Sequence, residues 1–270
     1  MCSSDLTGAI TIGFRDASVP FSYLGPGRRP IGYSIDLCLA IVDQVKTELG
    51  NDAIAVKYLP VNPQTRIPMV AEGAVDLECG STTNNAERAK SVAFSPIFFV
   101  SGTKLMVKRG GKVRSYRDLK GRSVAVTEGT TNEAALNAVN AKEKLGINVV
   151  PFRDHDQAFA ALAAGKVDAW AADDGLLYAQ AAESANPRGY SVLDEYLSYD
   201  PYGIMFRKND PAFAALVRRT FEQLAASREL SRLYDQWFLH NLPSGRALGI
   251  AMSPQLESIF ESFGQSTATD

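Results

Sequence analysis

Short apolar runs alternate with amphipathic stretches along this chain. The alternation restarts midway and stops before the end, and this restricts the fold more than any other feature. Apolar runs at 9–14, 55–59 and 75–78 read as strands, and the stretches at 34–49 and 66–72 carry helical spacing. The pattern begins again with strands at 104–108, 123–126, 148–152 and 168–172. Helices at 115–119, 131–145, 154–164 and 175–184 follow them in turn, with Asp154 as an N-cap. Alternation of this kind implies βαβ units, hence an α/β fold. After a strand at 203–207 the chain turns helical, at 210–227, 228–238 and 254–263. Asp210-Pro211 supplies a cap followed by proline. A helical tail cannot form a sheet by itself, so it is expected to return to the first run. Two lobes follow: 1–101 plus 203–270, and 104–199, joined by crossovers near 101–104 and 199–203. Clefts between lobes are favoured places for small ligands. The last seven residues read as disordered.

A chain of 270 residues can bury a core without metal or disulfide staples. The 28 Lys+Arg against 30 Asp+Glu leave a net charge of −2, which excludes a protein built to coat nucleic acid or an anionic membrane. The three cysteines, Cys2, Cys38 and Cys79, show no CxxC spacing, and His155 and His240 are far apart, so no metal site is expected. No cofactor motif such as GxGxxG or GxxxxGK[ST] is present, nor HExxH or GxSxG, and no cofactor is expected. No apolar run is long enough to span a membrane. The opening residues have neither a basic nor an apolar region, so a signal peptide reads as absent. Cys2 as a lipid-anchor cysteine lacks the leader that lipidation needs.

The segment from Glu78 to Arg88 (ECGSTTNNAER) is the most unusual in the chain. A strand ends there, Gly80 permits close backbone approach and three hydroxyls follow. A helix is expected to start near Asn84–Asn85, with Arg88 in its first turns. A helix N-terminus with an arginine fork suits a carboxylate or phosphate, with Ser81 and Thr83 as further donors. The plain alternative is a capping loop with a surface arginine. Arg15 follows the first strand, at the end where open α/β sheets bind ligands, and Arg66 opens a helix. Gly129-Thr130-Thr131 forms a second anion-friendly turn, or an ordinary cap. His155 starts a helix, and one of Asp173 and Asp174 could pair with an ammonium or serve as an N-cap. Trp170, Phe159, Trp237 and Phe238 fit core positions.

On these residues the chain resembles the periplasmic solute-binding proteins of ABC importers for polar amino acids, family 3. It is most similar to their glutamate/aspartate-binding branch. The matching stretches run from GFRDASVPFSY at Gly13 through QTRIP at Gln64, DLECGSTTNNAER at Asp76 and VTEGTT at Val126. They continue through Asp154-His155, Asp173-Asp174 and Tyr202-Gly203 to LYDQWF at Leu233. The resemblance implies the two-lobed type II periplasmic-binding-protein fold and capture of L-glutamate or L-aspartate by hinge closure. It further implies a monomer in the periplasm that delivers its ligand to a membrane permease and binds no nucleic acid. It assigns Arg88, Thr83 and Thr131 to the α-carboxylate, and Asp173 and Ser81 to the ammonium. Arg15, Arg66 and His155 go to the side-chain carboxylate.

The chain departs from close relatives at two prolines. Pro63 removes a serine that can reach the ligand, with Thr65 or Asn62 as replacements. Pro201 removes a cysteine that can pair with the counterpart of Cys79, so Cys79 is expected to be free, and a proline there stiffens the crossover. Two alternatives stand beside the transport reading. One is a cyclohexadienyl-dehydratase-like enzyme on the same fold, with His155 as acid. The other is a ligand-binding sensor domain.

Overall fold

The structure is a computed structural model that describes residues 8–266. Strand β1 (Ala9–Phe14) leads into a small antiparallel sheet of β2 (Ala17–Ser18), β3 (Ser22–Leu24) and β4 (Pro30–Ile31). Helix α1 (Tyr33–Leu49) buries Tyr33, Leu37, Cys38, Ile41, Val42 and Val45 on one face. It ends at Gly50 in the left-handed conformation, whose N–H closes onto Lys46 and Thr47. Before it, Gly32 sits at φ 136°, and a Cβ there would meet the Phe21 carbonyl oxygen at 2.2 Å, so only glycine fits. Then come β5 (Ala55–Pro60), helix α2 (Arg66–Ala71), β6 (Leu77–Glu78), β7 (Val92–Phe94) and β8 (Phe99–Ser101).

A second series follows. Strand β9 (Thr103–Lys108) precedes a short 3₁₀ helix (Tyr116–Leu119) that opens on a capping box between Ser115 and Asp118. Strand β10 (Ser123–Thr127), helix α3 (Thr131–Glu143), β11 (Asn148–Phe152), α4 (His155–Ala163), β12 (Ala169–Asp173), α5 (Asp174–Glu183) and β13 (Tyr190–Val192) complete it. The chain returns through β14 (Asp200–Tyr202) and β15 (Met205–Arg207) to α6 (Pro211–Ala226), α7 (Glu229–Tyr234) and α8 (Pro254–Ser266). Asp210 caps α6 by accepting from the Phe213 N–H at 3.0 Å. Arg228, at φ 61°, breaks the path between α6 and α7. A π-helical turn over Asp235–Leu239 continues α7.

The chain divides into two compact units. One ends at Val100 and resumes at Pro201; the other is Ser101–Asp200. The first contains a five-stranded sheet in the order β5-β1-β6-β15-β7, with β1 parallel to β5 and β6, and β15 antiparallel to β6 and β7. An aromatic core of Phe21, Tyr33, Phe98, Phe99, Tyr202 and Phe238 lies beside it. Phe99 stacks on Phe238 at 5.0 Å between centroids, and Phe21 meets Tyr202 edge-on. The helical tail thus packs on the first run, through Phe238 from its π-helical turn.

The second unit has the sheet order β11-β10-β12-β9-β13. Here β10 is parallel to β11 and β12, and β9 is antiparallel to β12 and β13. Leu105, Val107, Val124 and Val126 pack on one face, and Met106, Ala125 and Trp170 on the other, as period-two alternation requires. Strands β8 and β14, which carry the chain out of and back into the first unit, pair with each other.

Three expectations are corrected. No helix starts at Asn84–Asn85; only a 3₁₀ turn, Arg88–Lys90, forms. Thr83 bridges Tyr202, and the Asn84 N–H donates to the Pro201 carbonyl at 2.7 Å. These contacts to residues 201 and 202 hold the segment out of a helical path at Thr83 and Asn84. Cys79 is not free: it forms a disulfide with Cys38, on the buried face of α1, across a Cα separation of 6.2 Å. At the C-terminus, Gly264 to Ser266 belong to α8, and the rest of the expected disordered tail lies outside the described residues, as do Cys2 and the opening residues.

Candidate functional site

In the first unit the expected ligand groups gather around residues 78–88. Arg15 leaves the C-terminal end of β1, its backbone N–H donating to Ser22 Oγ at 2.9 Å, and its side chain is buried. Arg66 opens α2 and is 2% exposed. The turn before it closes reciprocally: Asn62 Oδ1 accepts from the Thr65 N–H at 2.9 Å, and Thr65 Oγ1 accepts from the Asn62 N–H at 3.0 Å. Both side-chain oxygens that could stand in for a serine at position 63 are therefore engaged in the turn.

Arg66 Nη1 donates to Thr82 Oγ1 and lies 3.8 Å from Glu78 Oε1. Thr82 in turn donates to Glu78 Oε2 at 2.7 Å. Ser81 and Thr83 are buried beside this group. The Ser34 hydroxyl donates to the Gly80 carbonyl at 2.8 Å, tying α1 to the segment. Arg88 is half-buried, and its Nη1 donates to the Thr83 carbonyl at 3.0 Å. Its own N–H is held by Asn85 Oδ1 at 2.9 Å.

The second unit carries Thr131, His155 and Asp173. Thr131 is the first residue of α3, and Thr130 caps that helix by accepting from the Glu133 N–H at 3.3 Å. His155 is the first residue of α4; Asp154 caps the helix, and His155 Nδ1 lies 2.8 Å from Thr127 Oγ1. Asp173 ends β12 at the N-cap position of α5 without capping it through its side chain. Its Oδ1 accepts from Asn132 Nδ2 at 2.8 Å.

The neighbouring Asp174 is held by three donors of its own unit. It accepts from Ser101 Oγ at 2.6 Å, Tyr196 Oη at 2.5 Å and the Gly175 N–H at 2.8 Å. Partial desolvation, with that hydrogen bond to Asp174, raises the Tyr196 phenol above the ordinary tyrosine range.

Two buried residues escaped sequence reasoning. Asn132 donates to both Asp173 Oδ1 and Thr103 Oγ1, each at 2.8 Å, and so orients the carboxylate. In the sequence it reads as one more polar residue of a helix's first turn. Glu78 ends an apolar strand, and a charged residue in a buried strand was the available signal. Among the described residues no group of His, Cys, Asp and Glu could hold a metal ion.

The sequence profile of the bacterial extracellular solute-binding proteins, family 3, matches residues 10–240. The chain belongs to this family. Among similar proteins, the L-glutamate/L-aspartate-binding protein of Pseudomonas aeruginosa is 45% identical over 95% of this chain and 85% of its own length. The glutamate/aspartate import solute-binding protein of Salmonella typhimurium is 39% identical over 94% and 84%. Of the solved structures, an ancestral arginine-binding protein bound to arginine matches with a TM-score of 0.77 and 28% identity, over 86% of this chain and 98% of that one. An ancestral amino-acid-binding protein described as a precursor of cyclohexadienyl dehydratase matches at 0.73 and 28%, over 87% and 97%. The fold is thus that of the periplasmic binding proteins. The family is extracellular, and no helix among the described residues is long and apolar enough to cross a membrane.

Proposed function

We propose that this family 3 protein captures L-glutamate or L-aspartate outside the cytoplasm and delivers it to the permease of an ABC importer. The observation that carries this reading is the buried pair Arg15 and Arg66 beside Ser81 and Thr83, with Arg88 at the end of the same segment. Arginines present planar forks that match carboxylates, and a buried amino acid with two carboxylates needs such partners. On this reading Arg88, Thr83 and Thr131 hold the α-carboxylate, Asp173 and Ser81 the ammonium, and Arg15, Arg66 and His155 the side-chain carboxylate. Each unit supplies part of the set, and the crossovers at 101–104 and 199–203 act as the hinge. Ligand contacts made only in the closed form would then shift the open–closed equilibrium. The protein acts as a monomeric carrier, not an enzyme.

Thermal unfolding in the presence of each common amino acid tests the reading. A ligand at about a hundred times its Kd stabilises by about 2.7 kcal/mol, which raises Tm by several degrees. L-Glutamate and L-aspartate are expected to do so; a shift for neither sinks the proposal. Turnover of a cyclic carboxylated substrate such as prephenate would instead favour the dehydratase.

Arg15→Ala is expected to weaken L-glutamate more than L-glutamine, by roughly ten- to a hundredfold for the charged ligand, since a hydrogen bond to a charge is worth about 1.5–3 kcal/mol. An equal loss for both in calorimetry rejects its side-chain role. Asn132→Leu is expected to weaken L-glutamate about tenfold or more by releasing the Asp173 carboxylate. Asn132→Asp should be worse, because two carboxylates would then adjoin. Binding unchanged in both variants removes Asn132 from the site.

A further inference from the structure

Charge is spread unevenly along this chain. Residues 108–122 hold seven of its 28 Lys and Arg but only one of its 30 Asp and Glu, so the remainder is acidic on balance. The near-neutral total conceals that separation.

The fold gathers these cations at one end of the second unit. Lys108 ends β9 opposite Tyr190, and the Arg109 N–H donates to the Gly189 carbonyl at 2.8 Å. Arg114 Nη1 reaches back to the Gly111 carbonyl at 2.8 Å. The Gly121 N–H, next to Lys120, donates to the Leu145 carbonyl at 3.0 Å. Lys108 Nζ lies 3.6 Å from where a Cβ on Gly165 would sit, which brings the exposed Lys166 to the same place. Strand β10 starts at this end and runs away from it, parallel to β12. Thr131, His155 and Asp173 follow or close the far ends of β10, β11 and β12. A five-residue strand, about 15 Å long, therefore separates them from the cations.

Neighbouring carboxylates leave most of this charge uncompensated. Asp118 is turned onto the backbone, accepting from the Arg114 N–H at 2.8 Å and the Ser115 N–H at 3.1 Å. Glu195 pairs with Arg117 at 3.5 Å, and Asp168 with Arg122 at 2.9 Å. Lys108, Arg109, Lys112, Arg114 and Lys120 are exposed and have no carboxylate partner among the described residues. The one aromatic side chain of the stretch, Tyr116, is half-buried under the Arg117 guanidinium, 4.3 Å above its ring. No large exposed hydrophobic residue lies between 108 and 122. Specific protein–protein interfaces are centred on apolar and aromatic anchors, and this surface has none.

We infer that this end of the second unit is a docking surface for anionic lipid headgroups. Lysines and arginines on turns need no exact geometry to be attracted to such a surface. Each strengthens binding about fivefold when close to it, and the attraction fades over a Debye length, about 10 Å at 0.1 M salt. Contact of this kind concentrates the protein at a membrane without inserting it. It also leaves the other end of the sheet, with Thr131, His155 and Asp173, clear of the lipid. The inference is independent of which ligand the protein carries.

The test sediments the protein with vesicles of equimolar phosphatidylglycerol and phosphatidylcholine, and with vesicles of phosphatidylcholine alone, from about 20 to about 500 mM salt. Binding to the anionic vesicles is expected at the lowest salt, with loss as salt rises and none to the neutral vesicles. The triple variant Lys108→Gln/Lys112→Gln/Lys120→Gln should weaken that binding about a hundredfold. Lys46→Gln/Lys57→Gln/Lys90→Gln, in the first unit, changes the total charge equally and should stay within a few-fold of wild type. Thermal unfolding checks that both triple variants are folded.

No binding to anionic vesicles at low salt overturns the inference, as does equal weakening in the two folded triple variants, which would assign the effect to net charge. Retention on immobilised poly-L-glutamate without vesicle binding would point to an acidic protein partner and overturn the lipid reading. If the first triple variant does not fold, Lys112→Glu decides alone. It is expected to weaken vesicle binding more than about tenfold, and unchanged binding overturns the inference.

Discussion

Arg88→Ala is expected to abolish L-glutamate binding in calorimetry while leaving the fold intact. The guanidinium is anchored, not loose: one nitrogen donates to the Thr83 carbonyl at 3.0 Å, and Asn85 holds the backbone N–H. An arginine fixed in this way loses little freedom when it meets a carboxylate, so its two-pronged bond is strong. Two charge-assisted hydrogen bonds at about 1.5–3 kcal/mol each amount to about 3–6 kcal/mol. Micromolar binding corresponds to about −8 kcal/mol, so this loss carries Kd to between about a tenth of a millimolar and tens of millimolar, at or beyond the limit of calorimetric detection. Because Arg88 is only half-buried, its truncation opens little space in the core, and Tm without ligand should move little. Arg88→Lys keeps the charge but not the fork, and is expected to recover only part of the affinity. Micromolar binding by folded Arg88→Ala would remove this residue from the α-carboxylate role.

Periodicity carried the larger elements. The apolar faces of α1 and α6 and the paired faces of the β9–β13 sheet could be read directly, because each repeats over enough residues to separate a period of 3.6 from one of 2. Strands β2, β3, β4, β7, β8, β13 and β14 have only two or three residues each, which is too short for any period to register. Their pairing is imposed by tertiary neighbours. Asn84 shows the same limit from the other side. Its local sequence suits a helix start, but a hydrogen bond to Pro201, more than a hundred positions away, holds it out of a helical path.

The candidate site was legible by residue type, since arginines at strand and helix ends advertise anion chemistry. Its supports were not. Glu78 and Asn132 act on other side chains, Arg66 and Asp173, that only the folded chain brings near. The Cys38–Cys79 bond was hidden for a related reason. The resemblance pointed to a partner at position 201, and with proline there the alternative lay on the inner face of α1, 41 residues upstream.

That disulfide is the source of the largest expected stability effect. Closing a loop of 41 residues removes unfolded-state entropy worth about 4 kcal/mol at 25 °C by the chain-entropy relation. Both sulfurs are fully buried, so alanine is the suitable replacement; serine would add hydroxyls needing partners. Cys38→Ala/Cys79→Ala is therefore expected to lose roughly 3–5 kcal/mol in denaturant unfolding. Wild type unfolded under strong reductant should lose a similar amount, because both treatments free the same loop. Affinity should respond far less. The bond joins α1 to the start of the 78–88 segment, but Ser34 Oγ holds Gly80 O at 2.8 Å independently, and Thr83 and Asn84 are pinned to Tyr202 and Pro201. A cross-link that acts chiefly on the unfolded chain predicts a large fall in the unfolding midpoint and an L-glutamate Kd within a few-fold of wild type. If Kd instead rises a hundredfold in a double variant that remains folded, the bond shapes the native site. If the midpoint does not move, the entropic account fails.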